Sequence, residues 1–240
     1  MKQPTNRTDR IKSAFLPVIL PIIMYAATVL ATMLNIDSFN TLMTSEKGII
    51  ENITVLFLLM ACFYAARAGI RNKISPQSGL RIYIFALALA CLMFAGEELS
   101  WGQHAFAWRT PDYWTTINKQ EETNLHNISG ILNETPRMLL TLFAVIAGFV
   151  APVIVKLRNM DLKSESAFWY WYMPPFEGAL TAFCAPTVTF HAKIMEKLNP
   201  ALDLNVTGGE TKEALLALFL LIYAKSIATR WAQTSQSNNK

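Results

Sequence analysis

The stretch FAGEELSWGQHAFAW, residues 94–108, starts as the end of an apolar run and turns without warning into acid, indole, amide and imidazole. Glu97 and Glu98 stand side by side there, Glu51 opens a second apolar run, and Glu210 and Glu213 open a third. A carboxylate at the centre of a bilayer costs about 2.5–3.5 kcal/mol, and less toward the edges, so acids placed in such runs are expected to build a site. Helical spacing groups them further. Glu97, Trp101 and His104 follow i, i+4, i+7 and share a face if the helix persists; Glu122 and His126 are i, i+4; Glu210 and Glu213 are i, i+3. Two chemistries fit. Carboxylates with imidazoles bind Zn, Mn or Fe, and Glu97, His104, Glu122, His126, Glu210 and Glu213 form the candidate ligand set for such a divalent metal. Without a metal, crowded carboxyls pair a protonated acid with an ionised base. Glu51, Glu97, Glu98, Glu122 and His126 are then the candidate catalytic groups. Either arrangement predicts hydrolysis or group transfer.

The doublet has to divide its work, because successive helical residues point about 100° apart. Glu97 shares its face with Trp101 and His104 and is expected to point into the cavity. Glu98 is expected to hold the following turn, through a hydrogen bond to the next segment's backbone or to Asn124. Plainer roles are open to several neighbours. Thr207 and Glu210 have capping-box spacing, Glu121, Glu122 and Glu134 suit a solvated face, and His191 suits the polar end of its helix.

The elements that must position these residues are apolar helices. Of 240 residues 52% are hydrophobic and 16% charged, against about a quarter charged in soluble domains, and the mean hydropathy is +0.28. Six stretches are long and nearly free of charge: 13–35, 49–70, 80–100, 136–156, 174–192 and 210–230. Each is long enough to cross a hydrocarbon layer of about 30 Å. They lack a polar face, which places them in lipid rather than in a soluble core. The expected fold is an all-α integral membrane protein: a basic N-terminus at 1–12, one six-helix domain over 13–230 and a polar tail at 231–240. Cys62, Cys91 and Cys184 all fall inside apolar runs and make no CxxC pair, so they read as small core residues.

Charge gives the expected orientation. Seven of the 21 Lys and Arg (Lys47, Arg109, Lys119, Arg137, Lys193, Lys197 and Lys212) fall at one set of helix ends, and the other 14 gather at the opposite ends with both termini. The positive-inside rule then predicts cytoplasmic termini in a multi-pass protein of the inner membrane. Distributed this way, the net charge of +4 points to a bilayer and not to nucleic acid. Acids do the reverse: all of the 17 except Asp9, Asp161, Glu165 and Glu177 lie at the outer ends.

The outer segment, 101–135, carries Trp101, Phe106, Trp108, Tyr113 and Trp114, which suit an interfacial aromatic belt. Leu125, Ile128 and Leu132 recur at helical spacing, so a short amphipathic helix is expected on the outer surface. Thr135 is expected to cap the fourth span, with Pro136 at its first position. Pro174 and Pro175 are expected to open the fifth, with Glu177 in its first turn.

GEELSWGQHAFAW followed by NKQEETNLHN resembles a family of uncharacterised bacterial integral membrane proteins that carry a Glu-Glu-x-Ser-Trp-Gly-Gln segment and then an Asn-Leu-His element. The likeness covers about 35 residues and implies a polytopic membrane fold without implying an activity. An arginine is commoner in that family where this chain has His104. A second similarity, to alkaline ceramidase-type membrane hydrolases, rests on Ser100-x-x-x-His104 and on Glu51 with Asn52. Their late paired histidines have no counterpart here, since His191 stands alone, and they have seven spans.

Two function classes follow. One is a metal- or carboxylate-dependent hydrolase or transferase acting on lipid or a lipid-linked substrate at the outer face. The other is a non-catalytic membrane protein whose acids pair with Arg137, Arg109 or a partner. A carrier ranks below both, because carriers place ionisable groups near the midplane.

Overall fold

A computed structural model describes residues 14–34, 48–71, 79–118, 121–125, 127–165, 167–198 and 205–237. These residues are helical or irregular, with no strand among them. A π-helical turn at Phe15–Ile19 runs into Leu20–Leu34 to make α1. Then come α2 (Ile49–Arg71), α3 (Leu80–Glu98), and two short helices, α4 (Gln103–Phe106) and α5 (Asp112–Ile117). The long α6 (Gly130–Leu157) holds a π-helical stretch at Ala144–Val150. Two short helices follow, α7 (Leu162–Glu165) and α8 (Ala167–Tyr172), then α9 (Ala179–Leu198) and α10 (Asn205–Ser237).

Among the described residues, four helices are long and apolar enough to cross a membrane: Ile49–Arg71, Leu80–Glu98, Gly130–Leu157 and Gly208–Gln233. Their outward surface is the kind that lipid covers. Ile82 is 77% exposed and Ile146 61%, a disposition that water would oppose at roughly 25 cal/mol per Å².

The core forms around α10. Ala214 to Ala224 are buried without interruption, which requires neighbours on every side, and α10 packs most extensively against α2 and α9. Those neighbours approach closely because they present small residues: Ala61, Ala65 and Ala68 on α2, and Ala182, Ala185 and Ala192 on α9. Small side chains at helical spacing let backbones come together where no hydrophobic drive exists between helices and lipid. Inter-helical hydrogen bonds add direction. Thr28 meets Thr211 at 2.8 Å near one end, and Tyr83 meets Tyr223 at 2.8 Å near the other. Cys62, Cys91 and Cys184 are free thiols in this packing.

Several expected boundaries move. The fourth apolar helix begins at Gly130, six residues before Pro136, because Ser129 caps it by accepting the Leu132 N–H at 3.3 Å. Thr135 and Pro136 therefore lie inside α6. The surface helix expected around Leu125, Ile128 and Leu132 is not formed: residues 121–125 are irregular, and Leu132 belongs to α6. Side chains win that competition, since Asn118 and Asn124 bond locally to one another and to the backbone. The short helices of this region are α4 and α5 instead. α10 starts at Asn205, so Thr207 and Glu210 sit within it, and it continues to Ser237 through most of the expected tail. Pro175 does open the fifth helix, through a 3₁₀ turn at Phe176–Gly178 that holds Glu177.

Candidate functional site

The end of α3 explains why its sequence changes so abruptly. After Glu98 the chain takes positive φ at three successive residues, 45° at Ser100, 56° at Trp101 and 89° at Gly102. Glycine adopts this freely, whereas a serine or tryptophan held there costs about 1–3 kcal/mol unless its surroundings fix it. Here they do. Trp101 folds back along α3, and its indole lies where a Cβ on Gly96 would be 2.9 Å away. Its Nε1–H donates to Glu97 Oε1 at 2.8 Å, and Glu97 Oε2 accepts the Leu125 N–H at 2.6 Å. Glu97 is thus a bracket between the turn and the segment that returns from α5.

Ser100 is held from the other side. Its hydroxyl donates to Glu122 Oε2 at 2.8 Å and accepts from Asn124 Nδ2 at 2.9 Å. Asn124 also donates to Glu122 Oε2 at 2.5 Å, and Asn118 donates to the Asn124 carbonyl at 2.8 Å. Gln103 Oε1 accepts from the Thr123 N–H at 2.8 Å. All of Ser100, Asn118, Glu122 and Asn124 are buried. A buried carboxylate is costly unless donors surround it, and Glu122 has Ser100, Asn124 and, at 3.3 Å, Asn127. The EELSWGQ and EETN elements together form a polar latch that fastens the loop over the end of α3.

Glu98 faces the other way, into the bundle. Arg137 on α6 reaches it at 3.8 Å through Nη2 and reaches Glu213 on α10 at 3.1 Å through Nη1. The side chains of Glu98 and Glu213 are 15% and 13% exposed, so solvent screens this pair of contacts weakly. Glu210 stands one turn before Glu213, half-buried. One guanidinium therefore serves two carboxylates with a third close by. Glu213 Oε2 is buried with no hydrogen-bond partner among the described residues.

A cleft of ≈ 340 Å³ opens between α3 and α6 beneath the latch. Met93, Phe94, Leu125, Leu132 and Pro136 make it apolar, and Glu97, Glu98, Asn133 and Arg137 line its polar part. Asn133 Oδ1 is likewise a buried acceptor without a partner.

Glu97 and Glu98 both line the cleft, and the doublet divides its other work differently from the expectation. Glu97 holds the turn and Glu98 joins the charge cluster, because α3 ends at Glu98 and the face that was to link Glu97, Trp101 and His104 does not continue. The structure brings together Glu98 and Glu213, with Glu210 beside them, and places Glu97 and Glu122 in the latch. Glu51 lies at the same end of the bundle in the first turn of α2, at the favourable end of that helix's dipole. His126 lies outside the described residues, as does the side chain of His104. Among the described residues no group of three or more His, Cys, Asp or Glu is disposed to hold a metal ion. Glu97 and Glu122 bond within the latch, and Glu213 pairs with Arg137.

Sequence reasoning met Ser100 only through the Ser100-x-x-x-His104 similarity, gave Asn133 no role in the site and weighed Arg137 only as a structural partner. A signal was present: an arginine about two turns into an apolar helix needs an acid, and Glu98 and Glu213 were the acids at its depth. Arg109, the other candidate partner, meets Asp112 at 3.8 Å on an open surface, with both side chains over 90% exposed, where such a pair contributes little. No family model, curated protein or solved structure matches the chain.

Proposed function

We propose that this is a six-span protein of the inner membrane, with cytoplasmic termini, that acts on a lipid or lipid-linked substrate at the outer leaflet. Besides the four long apolar helices, α1 and α9 complete the set. α1 exposes Ile22, Ile23 and Leu30, and α9 exposes Phe183 and Phe190, as helices facing lipid do. The bias of Lys and Arg toward the opposite end supports placing the latch outside. Phe106, Trp108 and Tyr113 are exposed beside it, at the level of an interfacial belt.

The cleft between α3 and α6 carries the functional reading. It is apolar enough for an acyl or prenyl chain, and its polar end presents an acid, a guanidinium and an unpartnered amide oxygen. A headgroup there would meet Glu98 as general base or acid, Arg137 as the charge that steadies a developing anion, and Asn133 as an acceptor for a hydroxyl. The reaction class is carboxylate-dependent hydrolysis or group transfer. The test is turnover: purified protein in nanodiscs containing the lipids that co-purify with it, assayed for released headgroup or transferred chain. Glu98→Gln should abolish product while leaving the latch closed. Equal turnover by Glu98→Gln and the parent refutes the reading.

One observation favours a second reading. Glu97 and Glu122 are fully engaged in the latch, and Glu98 and Glu213 share Arg137, an arrangement that also suits a non-catalytic protein whose acids hold its outer end together. In that case Glu98→Gln lowers the melting temperature and changes no lipid.

A further inference from the structure

We propose that the end of the bundle opposite the latch contains a seat for the phosphate headgroup of an anionic phospholipid. A cavity of ≈ 470 Å³ lies between the end of α6, the turn that links α8 to α9, and α10. Its lining includes Lys156 and Arg230 and no carboxylate. Arg230 is fixed in place by carbonyl oxygens: it donates to Tyr170, to Met173 at 3.1 Å and to Ser226 at 3.4 Å. A carbonyl takes a hydrogen bond but does not cancel charge, and Glu177 attracts the same guanidinium from outside this cavity's lining. Lys156 rests over the Phe176 ring at 5.9 Å, which orients the ammonium and likewise leaves its charge in place.

Depth distinguishes a lipid from a soluble anion. Phe168 and Trp169, on the neighbouring α8, are 50% and 53% exposed, as aromatic side chains at the headgroup level of a bilayer are. Pro152, Val155 and Met160 give the same cavity apolar walls that suit the start of an acyl chain. A second cavity of ≈ 310 Å³ shares Pro175, Ser226 and Arg230 and adds Lys225 and Glu177. Its single acid is outnumbered by Lys225 and Arg230. Basic pockets between helices at a membrane surface recognise anionic headgroups in this way. The inference is independent of the outer cleft and requires only that this end lies in a headgroup layer.

Native mass spectrometry of the full chain tests it, with phosphatidylglycerol and phosphatidylcholine of identical acyl chains competing for the protein and inorganic phosphate as a third arm. The expected result is about a 25-fold preference for phosphatidylglycerol, about fivefold from each of the two cations near a headgroup. Lys156→Met removes a cation from an exposed position without touching the core, and should reduce that preference about fivefold. Arg158→Met, outside the cavity lining, should leave it unchanged. Equal retention of the two lipids overturns the proposal, as does a preference that survives Lys156→Met. Displacement of phosphatidylglycerol by millimolar inorganic phosphate would reassign the site to a soluble anion, and so also overturn it.

Discussion

Replacing Glu97 by Gln isolates the latch from everything else. The carboxylate accepts two hydrogen bonds with different oxygens, from Trp101 Nε1 at 2.8 Å and from the Leu125 N–H at 2.6 Å. A glutamine of the same shape offers one oxygen, so one donor keeps an acceptor and the other meets an amide NH₂. A hydrogen bond to a charged acceptor contributes about 1.5–3 kcal/mol. Trp101 and Leu125 are 42% and 44% exposed, which puts this site at the lower end, so the loss is about 1.5–2 kcal/mol. The loop opens locally before the bundle unfolds, and with tenfold for each ~1.4 kcal/mol the Leu125 amide should exchange roughly 10–30 times faster. Hydrogen–deuterium exchange of the peptide spanning 118–125, measured in nanodiscs, reads this directly. Glu97→Ala removes both acceptors and should roughly double the free-energy loss. Glu98→Gln, one residue along, should leave the same peptide protected. Exchange within twofold of the parent in both Glu97 variants would refute the account of the turn.

Further changes probe the other links. Ser100→Ala deletes the hydroxyl between Glu122 and Asn124 in a buried network, and should lower stability by about 1–3 kcal/mol in a thermal melt. Arg137→Met leaves Glu98 and Glu213 without their shared cation and should cost about 3–5 kcal/mol; adding Glu213→Gln should recover part of that loss in the double variant. Gly148→Ala places a methyl 2.5 Å from the Phe219 ring and should destabilise by about 1–3 kcal/mol through overpacking. Reporter fusions after Arg71, Lys163 and Lys240 should read as cytoplasmic, and fusions near Asn118 and Asp203 as external; one reversed loop breaks the six-span topology.

Periodicity and charge made the helices legible because membrane helices are long and apolar all round, a signal that local packing does not alter. Ile49–Arg71 and Leu80–Glu98 fall within two residues of the expected limits. The loop was not legible for the opposite reason. Leu125 and Leu132 have helical spacing, yet Asn118, Glu122 and Asn124 find partners that a helix would deny them, and spacing alone does not record that preference. The same limit hid the start of α6. Pro136 is a strong signal for a first turn, but Ser129, six residues before Thr135, caps the helix with its side-chain oxygen, and α6 tolerates the proline in its second turn. Glu97 and Glu98 were recognised as important from their type and depth. Which of them faced inward depended on where α3 stopped, and that is set by Gly96 making room for Trp101.

The adjacency of the two acids then has a mechanical meaning. Glu97 is bonded to the loop and Glu98 to the bundle, through two side chains that leave one backbone about 100° apart. The cleft touches both, since Glu97, Glu98, Leu125 and Arg137 all line it. A molecule that enters it and displaces Leu125 must strain the Glu97 bracket, and a turn of α3 that relieves the strain moves Glu98 relative to Arg137. Ligand occupancy, loop closure and the charge cluster would therefore be coupled through a single peptide unit. Linkage makes that coupling reciprocal: a variant that loosens the latch, such as Glu97→Gln, should alter affinity for whatever fills the cleft, and a bound ligand should slow Leu125 exchange in the parent and not in the variant. Exchange of Leu125 measured with and without co-purified lipid decides it, and identical ligand effects in parent and variant would show that the doublet joins two independent structures rather than one working unit.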